Sequence, residues 1–229
     1  MIEDKDKCLT KSTLFFKGSL TLKRSIDLFS GLLGLLICSP FILLMALLVR
    51  LDSPGNPFFT QVRVGKNGKH FIIFKMRTLY REHFGIVPDE EGPCDYRITR
   101  LGKYLRLSKL DELPQLLNVI FGHMSLVGPR PDIPEQACSY TPFQRQRLLI
   151  KPGLTGVAQI SGNTLLSWPD RIALDIWYIK NWSCLLDFKI ILFTLLAIIK
   201  GESLNADPFG LHSQLADKNK TVSVERTTD

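Results

Sequence analysis

The stretch Leu28-Phe-Ser-Gly-Leu-Leu-Gly-Leu-Leu-Ile-Cys-Ser-Pro-Phe-Ile-Leu-Leu-Met-Ala-Leu-Leu-Val49 runs for 22 residues without a charge. At about 1.5 Å per residue, a helix of that length just crosses the hydrocarbon core of a bilayer. Ser39-Pro40 sits at its middle, where proline removes a helix hydrogen bond and crowds the preceding turn. Positive charge flanks both ends: Lys17, Lys23 and Arg24 before it, Arg50, Arg63, Lys66 and Lys69 after it. A plain span concentrates Lys and Arg on one side of the membrane. Symmetric flanks fit a helix–break–helix that enters and leaves on one face, with the Ser39 hydroxyl available to a freed backbone carbonyl. A tilted, proline-kinked span fits the same composition. The run is too long, and starts too far into the chain, for a cleaved signal peptide.

Outward from this segment, residues 1–22 form a polar, lysine-bearing arm, and residues 23–51 form the membrane helix. Leu51-Asp-Ser-Pro-Gly-Asn-Pro57 is dense in turn formers and marks the exit. Phe58–Val64 and His70–Met76 read as strands joined through Asn67-Gly68, a strong hairpin signal. The hairpin carries Arg63, Lys66, Lys69, Lys75 and Arg77, either a solvated basic face or a phosphate-facing one. Residues 82–96 are acidic, rich in Pro and Gly, and read as a loop. In residues 97–107, Arg97, Arg100, Lys103 and Arg106 line one helix face and Ile98, Leu101 and Leu105 another. Such a face suits anionic lipid or substrate phosphates.

Next comes Ser108-Lys-Leu-Asp-Glu-Leu-Pro-Gln-Leu-Leu-Asn118, with two adjacent carboxylates, Asp111 and Glu112. Leu110, Leu113, Leu116, Leu117 and Ile120 repeat at helical spacing, and Pro114 is tolerated only in a first turn, so a helix is expected from about Asp111. Ser108 with Asp111 three positions on is a candidate capping pair. Taken alone, the two acids complement a helix dipole. Arg106, five residues upstream, is placed to reach an anion held beside them, given arginine's two-point geometry for phosphate.

Arg130, between Pro129 and Pro131, is presented from a stiff segment. Lys151-Pro-Gly-Leu-Thr-Gly156 opens a glycine-rich loop that fits neither the P-loop nor the dinucleotide pattern. Residues 168–179 read as a helix in which Arg171 and Asp175 form an i to i+4 pair worth ~0.3–0.5 kcal/mol. The apolar run 190–199 is too short to span and is core or an interfacial helix, with Trp177, Tyr178 and Trp182 as interface anchors or core. Residues 52–200 form the catalytic domain of this reading and 201–229 a polar tail.

Formal net charge is +7, which favours anionic partners: nucleic acid, an anionic membrane face or phosphorylated substrates. The five cysteines are scattered without a CxxC pair, which argues against a zinc cage or dithiol redox site and fits a reducing compartment. No zinc-finger or RNA-recognition pattern occurs, so no nucleic-acid partner is expected.

The segments together resemble the bacterial sugar transferase family, the monotopic polyprenyl-phosphate phosphoglycosyl transferases. The resemblance rests on Lys23-Arg24 with Asp27, the Ser39-Pro40 dipeptide, Pro57 to Gly68, and Phe74-Lys-Met-Arg-Thr78. It continues through Leu107-Ser-Lys-Leu-Asp-Glu-Leu-Pro-Gln115, Met124-Ser-Leu-Val-Gly-Pro-Arg-Pro131, Lys151 to Gly156, and the set Arg171, Asp175, Tyr178, Asp187. It covers residues 23–199. The fold it implies is α+β: a re-entrant membrane helix broken at Ser39 and Pro40, then a small α/β domain with a β-hairpin and membrane-surface amphipathic helices. It implies a minimal form on the cytoplasmic face of the bacterial inner membrane, among inner-leaflet lipids. The implied reaction moves a phospho-sugar from a UDP-sugar to undecaprenyl phosphate, releasing UMP and requiring Mg2+, as the first membrane step of glycoconjugate assembly. Asp111 and Glu112 become the catalytic dyad and the metal carboxylates. Arg77, Arg106 and Arg130 become candidates for holding diphosphate charge, and Asp175 a substrate-binding residue. The chain departs from the family at Gln159-Ile-Ser-Gly-Asn-Thr164, where Ser161 and Asn163 replace the ends of a common Asn-Gly-Arg.

Physically, phosphoryl transfer between two anions needs charge neutralisation and in-line placement, and an aspartate can act as nucleophile. Two rivals are a UDP-releasing glycosyltransferase and a non-catalytic basic membrane-surface scaffold. The only Asp-x-Asp triplet, Asp4-Lys-Asp6, lies in the arm.

Overall fold

A computed structural model describes residues 3–80, 97–162, 166–200 and 209–210. The acidic loop expected at 82–96, Asn163 and nearly all of the tail lie outside the described residues. Helix α1 covers Glu3–Asp52 and contains one segment, Thr21–Asp52, long and apolar enough to cross a membrane. Helical backbone continues across Pro40, so the dipeptide does not interrupt the helix. The reason is local. Proline cannot donate to the carbonyl four residues back, and the Ser39 hydroxyl donates to that carbonyl, Leu36 O, at 3.0 Å.

Both ends of the apolar run are fastened to the same folded body. Near its start, Lys23 Nζ donates to Val127 O (3.1 Å) and Asp187 Oδ2 (2.6 Å), and Arg24 donates to Val119 O and Ile120 O. Asp27, buried, accepts from Ser125 Oγ and Leu126 N, each at 3.0 Å. At its end, Arg77 donates to Ser53 O (2.6 Å), Ser53 Oγ (2.9 Å) and Pro54 O (2.7 Å). Between these anchors one face packs inward: Gly31 against Val119 and Ile120, Gly34 against Leu116, and Ile42 and Val49 with Met76 and Leu105. The other face leaves Phe29, Leu33, Leu36, Phe41, Leu43 and Leu47 exposed.

Strands β1 (Phe58–Val64) and β2 (His70–Met76) pair antiparallel from Phe58↔Met76 to Val64↔His70. Their turn holds Asn67 at φ 57° and Gly68 at φ 76°, left-handed values that these two residue types adopt most cheaply. Helix α2 (Arg100–Leu107) follows, capped by Thr99 Oγ1, which accepts from Gly102 N at 2.9 Å. A 3-10 turn, Leu110–Gln115, then leads into α3 (Leu116–Ile120). The expected helix start at Asp111 is thus a 3-10 turn, with the α-helix beginning after Pro114. The expected Ser108–Asp111 cap does not form: Ser108 closes α2, its hydroxyl donating to Tyr104 O at 2.8 Å. From α3, buried Asn118 accepts from Phe74 N and donates to Ile72 O, tying the helix to the outer edge of the hairpin.

The second half holds β3 (Ser125–Val127), α4 (Pro134–Cys138), a 3-10 turn (Gln144–Leu149), β4 (Gly153–Thr155), α5 (Val157–Ile160), α6 (Trp168–Asn181) and α7 (Cys184–Lys200). β3 and β4 pair parallel, Ser125↔Gly153 and Val127↔Thr155. Just beyond the pairing the two backbones nearly touch: a Cβ at Gly153 would lie 2.1 Å from Gly128 N. The glycine-rich loop is therefore a backbone clamp. The core here joins Val127, Val157, Leu174, Tyr178 and Ile190.

Candidate active site

Lys109, between α2 and the 3-10 turn, has φ 59°, a left-handed value uncommon for a lysine. This reversal turns Asp111 and Glu112 toward the hairpin, where a cleft of about 890 Å3 opens. Its walls carry Arg63, Lys75, Arg77, Arg106, Lys109 and Arg130 against the two carboxylates. Six cations facing two acids make the cleft a receptor for a multiply charged anion.

The two acids are not equivalent. Glu112 is clamped: Arg130 Nη2 and Lys75 Nζ reach its Oε1 at 2.6 and 2.9 Å, and Arg130 Nη1 reaches Oε2 at 3.3 Å. Burial alone would push its pKa up, but the charges and hydrogen bonds of Arg130 and Lys75 prevail and hold it at about 2. Asp111 is buried and, among the described residues, accepts no side-chain hydrogen bond. Its pKa is raised, first by burial and then by the charge of Glu112, with Lys75, Arg106 and Lys109 pulling the other way. One carboxylate is spent on holding two cations in place. The other stands open to the cleft.

Of the residues expected from sequence, Asp111, Glu112, Arg77, Arg106 and Arg130 meet in this cleft. Arg106 Nε is oriented by Thr78 Oγ1 at 2.8 Å. Arg77 lines the wall, but its guanidinium is buried against the carbonyls at the end of α1, so its geometry is that of a fastener. Asp175 does not reach the cleft. It is buried in α6 and pairs with Arg147 Nη2 at 2.6 Å, in place of the helical pair with Arg171. Arg147 also bonds Asp132 and Tyr140 Oη, and donates to Arg130 O at 3.0 Å. Asp175 therefore supports the segment presenting Arg130, from behind.

Lys75 and Lys109 were not singled out as site residues from sequence. Lys75 is visible in the sequence only as one of several hairpin cations; its place on the strand face shared with buried Phe71 and Ile73 gives no sign of a partner 37 residues away. Lys109 adjoins the dyad, and only its backbone angle turns it to the cleft.

The metal question turns on the donors present. Among the described residues no group of three or more His, Cys, Asp or Glu side chains is placed to hold a metal ion. Mg2+ is commonly bound by one or two carboxylates with substrate phosphates and water, and the open carboxylate of Asp111 fits that pattern. Both Glu112 oxygens already accept from cations, which fits it less well.

An unpaired carboxylate inside a cationic cleft, on a domain fastened to a membrane-length apolar helix, suits a membrane-associated enzyme with an anionic substrate. The chain belongs to the bacterial sugar transferase family, which matches residues 18–201. It is similar to the uncharacterized sugar transferase EpsL of Bacillus subtilis, 41% identical over 186 residues, covering 80% of this chain and 90% of that protein. It is 40% identical over 185 residues to the UDP-glucose:undecaprenyl-phosphate glucose-1-phosphate transferase of Caulobacter vibrioides, covering 77% of this chain and 69% of that one. A third relative is the UDP-N-acetylgalactosamine-undecaprenyl-phosphate N-acetylgalactosaminephosphotransferase of Aeromonas hydrophila. It is 37% identical over 188 residues, covering 79% of this chain and 44% of that one. The chain is an enzyme of the sugar-1-phosphate transferase type.

Proposed function

We propose that this enzyme transfers a phospho-sugar from a UDP-sugar to undecaprenyl phosphate and releases UMP. The observation that carries the reading is the asymmetry of the dyad: Asp111 open, Glu112 saturated by Arg130 and Lys75. An Asp111 oxygen attacks the β-phosphorus of the donor. The bond from that phosphorus to the bridging oxygen breaks, and UMP leaves with the oxygen and the electron pair. The phospho-sugar stays on Asp111 as an acyl phosphate. A phosphate oxygen of the acceptor then attacks the same phosphorus, the bond to Asp111 breaks, and a polyprenyl diphospho-sugar results.

Lys75, Arg106, Lys109 and Arg130 neutralise the diphosphate as charge shifts to the leaving UMP. Glu112 holds Lys75 and Arg130 in register before substrate arrives, so little reorganisation is left for the reaction itself. Asp111 is the carboxylate that would hold Mg2+, which would supply additional charge neutralisation when bound.

The membrane arrangement we propose draws its support from the fastening of α1. Lys23 and Asp27 at one end and Ser53 at the other bond to one folded domain, which supports a re-entrant helix that enters and leaves on a single face, its change of direction carried by a bend within the helix at Pro40 rather than by a gap. The exposed side of α1 then meets lipid, and the domain lies on the cytoplasmic face of the inner membrane, beside a lipid acceptor and within reach of a water-soluble donor. In this arrangement the product feeds polysaccharide or other glycoconjugate assembly.

The test is a screen of UDP-sugars with undecaprenyl phosphate and Mg2+ in nanodiscs, with the nucleotide product identified. UMP supports the proposal. UDP marks a conventional glycosyltransferase, and vesicle binding without nucleotide release marks a scaffold.

A further inference from the structure

Glu112 stands on a wall between two cavities, while Asp111 faces only the cationic cleft. Lys109, Glu112 and Arg130 line the cationic cleft on the hairpin side and also a second groove of about 300 Å3 on the α7 side. The second groove has the opposite character. Past the two cations at its inner end its walls are Leu113, Leu126, Leu154, Ile160 and Ile191. It runs beside α7, whose Phe188, Leu192 and Leu196 are exposed. A site cationic at one end and apolar along its length fits a single-chain amphiphile with an anionic head. It does not fit a nucleotide-sugar.

A second observation points to a ligand. Gln159 lines this groove, and its side-chain oxygen and nitrogen are both buried without a hydrogen-bond partner. A buried amide left unpaired costs about 1–3 kcal/mol, so its retention calls for a partner from outside the chain. The amide lies against Gly156, where a Cβ would come within 2.8 Å of the Gln159 oxygen, so the glycine makes room for it.

We infer that the α7 groove is the acceptor subsite. The isoprenoid chain of a polyprenyl phosphate lies along Leu113, Leu154 and Ile191, its phosphate meets Arg130 and Lys109, and the Gln159 amide donates to a phosphate oxygen. The acceptor's chain then lies outside the cationic cleft, and its phosphate rests at the two cations common to both cavities until UMP leaves, when it enters the cleft to attack the phosphorus on Asp111 in line. The inference rests on the function proposed above, because it takes the acceptor from that reaction.

Two variants and one labelling experiment test it. Ala197→Trp fills the groove from α7 at a position absent from the cationic cleft. Excluding two or more methylenes from burial raises the KM for undecaprenyl phosphate by about tenfold or more, while the KM for the UDP-sugar stays within about twofold. Gln159→Leu removes the unpaired amide, so a purely structural role predicts equal or higher stability with unchanged kinetics. The acceptor subsite predicts equal or higher stability together with a raised acceptor KM. An unchanged acceptor KM in both variants overturns the inference and leaves the groove to a bilayer acyl chain or to no ligand.

Labelling with a photoreactive undecaprenyl phosphate gives an answer independent of turnover. The expected adducts map to α7 in the wild-type protein and are lost in Ala197→Trp. Adducts confined to the outer face of α1 overturn the assignment. If labelling maps to α7 but no UDP-sugar yields UMP, the proposed reaction fails and the lipid site stands. If UMP is released but labelling misses α7, the groove assignment alone fails.

Discussion

Arg130 grips Glu112 with two nitrogens, Nη2 to Oε1 at 2.6 Å and Nη1 to Oε2 at 3.3 Å, while the arginine side chain stays about half exposed. This is a pair built to be turned toward a substrate. Glu112 fixes the guanidinium without hiding it, and the exposed side remains free to take up a phosphate. Lys75 completes the clamp from the opposite strand.

The depressed pKa of Glu112 gives a stability prediction. Its value falls from 4.5 to about 2 on folding, so it contributes stability above pH 4.5 that disappears as pH falls toward 2. At 1.36 kcal/mol per unit the ceiling is about 3 kcal/mol, reduced by solvent screening at Arg130. Glu112→Gln is therefore less stable than wild type by about 2 kcal/mol at pH 7, and the gap narrows below pH 4.5 and closes only near pH 2. Denaturant titrations at both pH values measure it.

Lys109 tests whether the left-handed turn serves the fold or the cleft. Lys109→Gly relieves the backbone but adds unfolded-state entropy, so stability changes by less than about 1 kcal/mol. Turnover nonetheless falls by about tenfold or more, because a cleft cation is lost. Wild-type turnover in this variant would show that Lys109 serves only the turn.

Two glycines separate packing from backbone angle. A Cβ at Gly153 meets Gly128 N at 2.1 Å and Thr155 O at 2.4 Å, both backbone atoms that cannot yield. Gly153→Ala costs about 3 kcal/mol and displaces Arg130. At Gly68, φ is +76° with nothing within 4 Å, so Gly68→Ala costs only about 1 kcal/mol and leaves kinetics unchanged. Thermal melts of the pair in one detergent give the comparison.

Asp175 acts from behind the site. Asp175→Asn leaves Arg147 with Asp132, Tyr140 and the Arg130 carbonyl, and destabilises by about 2–3 kcal/mol. The donor KM stays within about twofold, because the side chain does not enter the cleft. A large rise in donor KM at unchanged stability would return Asp175 to the substrate site.

What could be read from the sequence was local. Asn67-Gly68 announced its turn, the strands on either side have their expected ends, and Arg106 and the adjacent acids fall in one cleft. What escaped depends on contacts far apart in the chain. The Lys23–Asp187 bond joins residues 164 positions apart, and Arg147–Asp175 joins two helical segments whose own periodicity is satisfied without it. The Ser108 cap failed because Lys109 turns left-handed first, a backbone choice that side-chain patterning does not encode. The glycine-rich loop at 151–156 matches no phosphate-binding pattern, and the use of its glycines, close backbone-to-backbone approach, shows only once Gly128 is placed beside it.

The central claim is that Asp111 carries the phospho-sugar. The most direct measurement is the intact mass of the protein after incubation with a UDP-sugar and Mg2+ in the absence of lipid acceptor. The account predicts a mass increase of one phospho-sugar, discharged on addition of undecaprenyl phosphate and missing in Asp111→Asn. UMP release at the wild-type rate from Asp111→Asn, or an adduct that persists in it, would contradict the account.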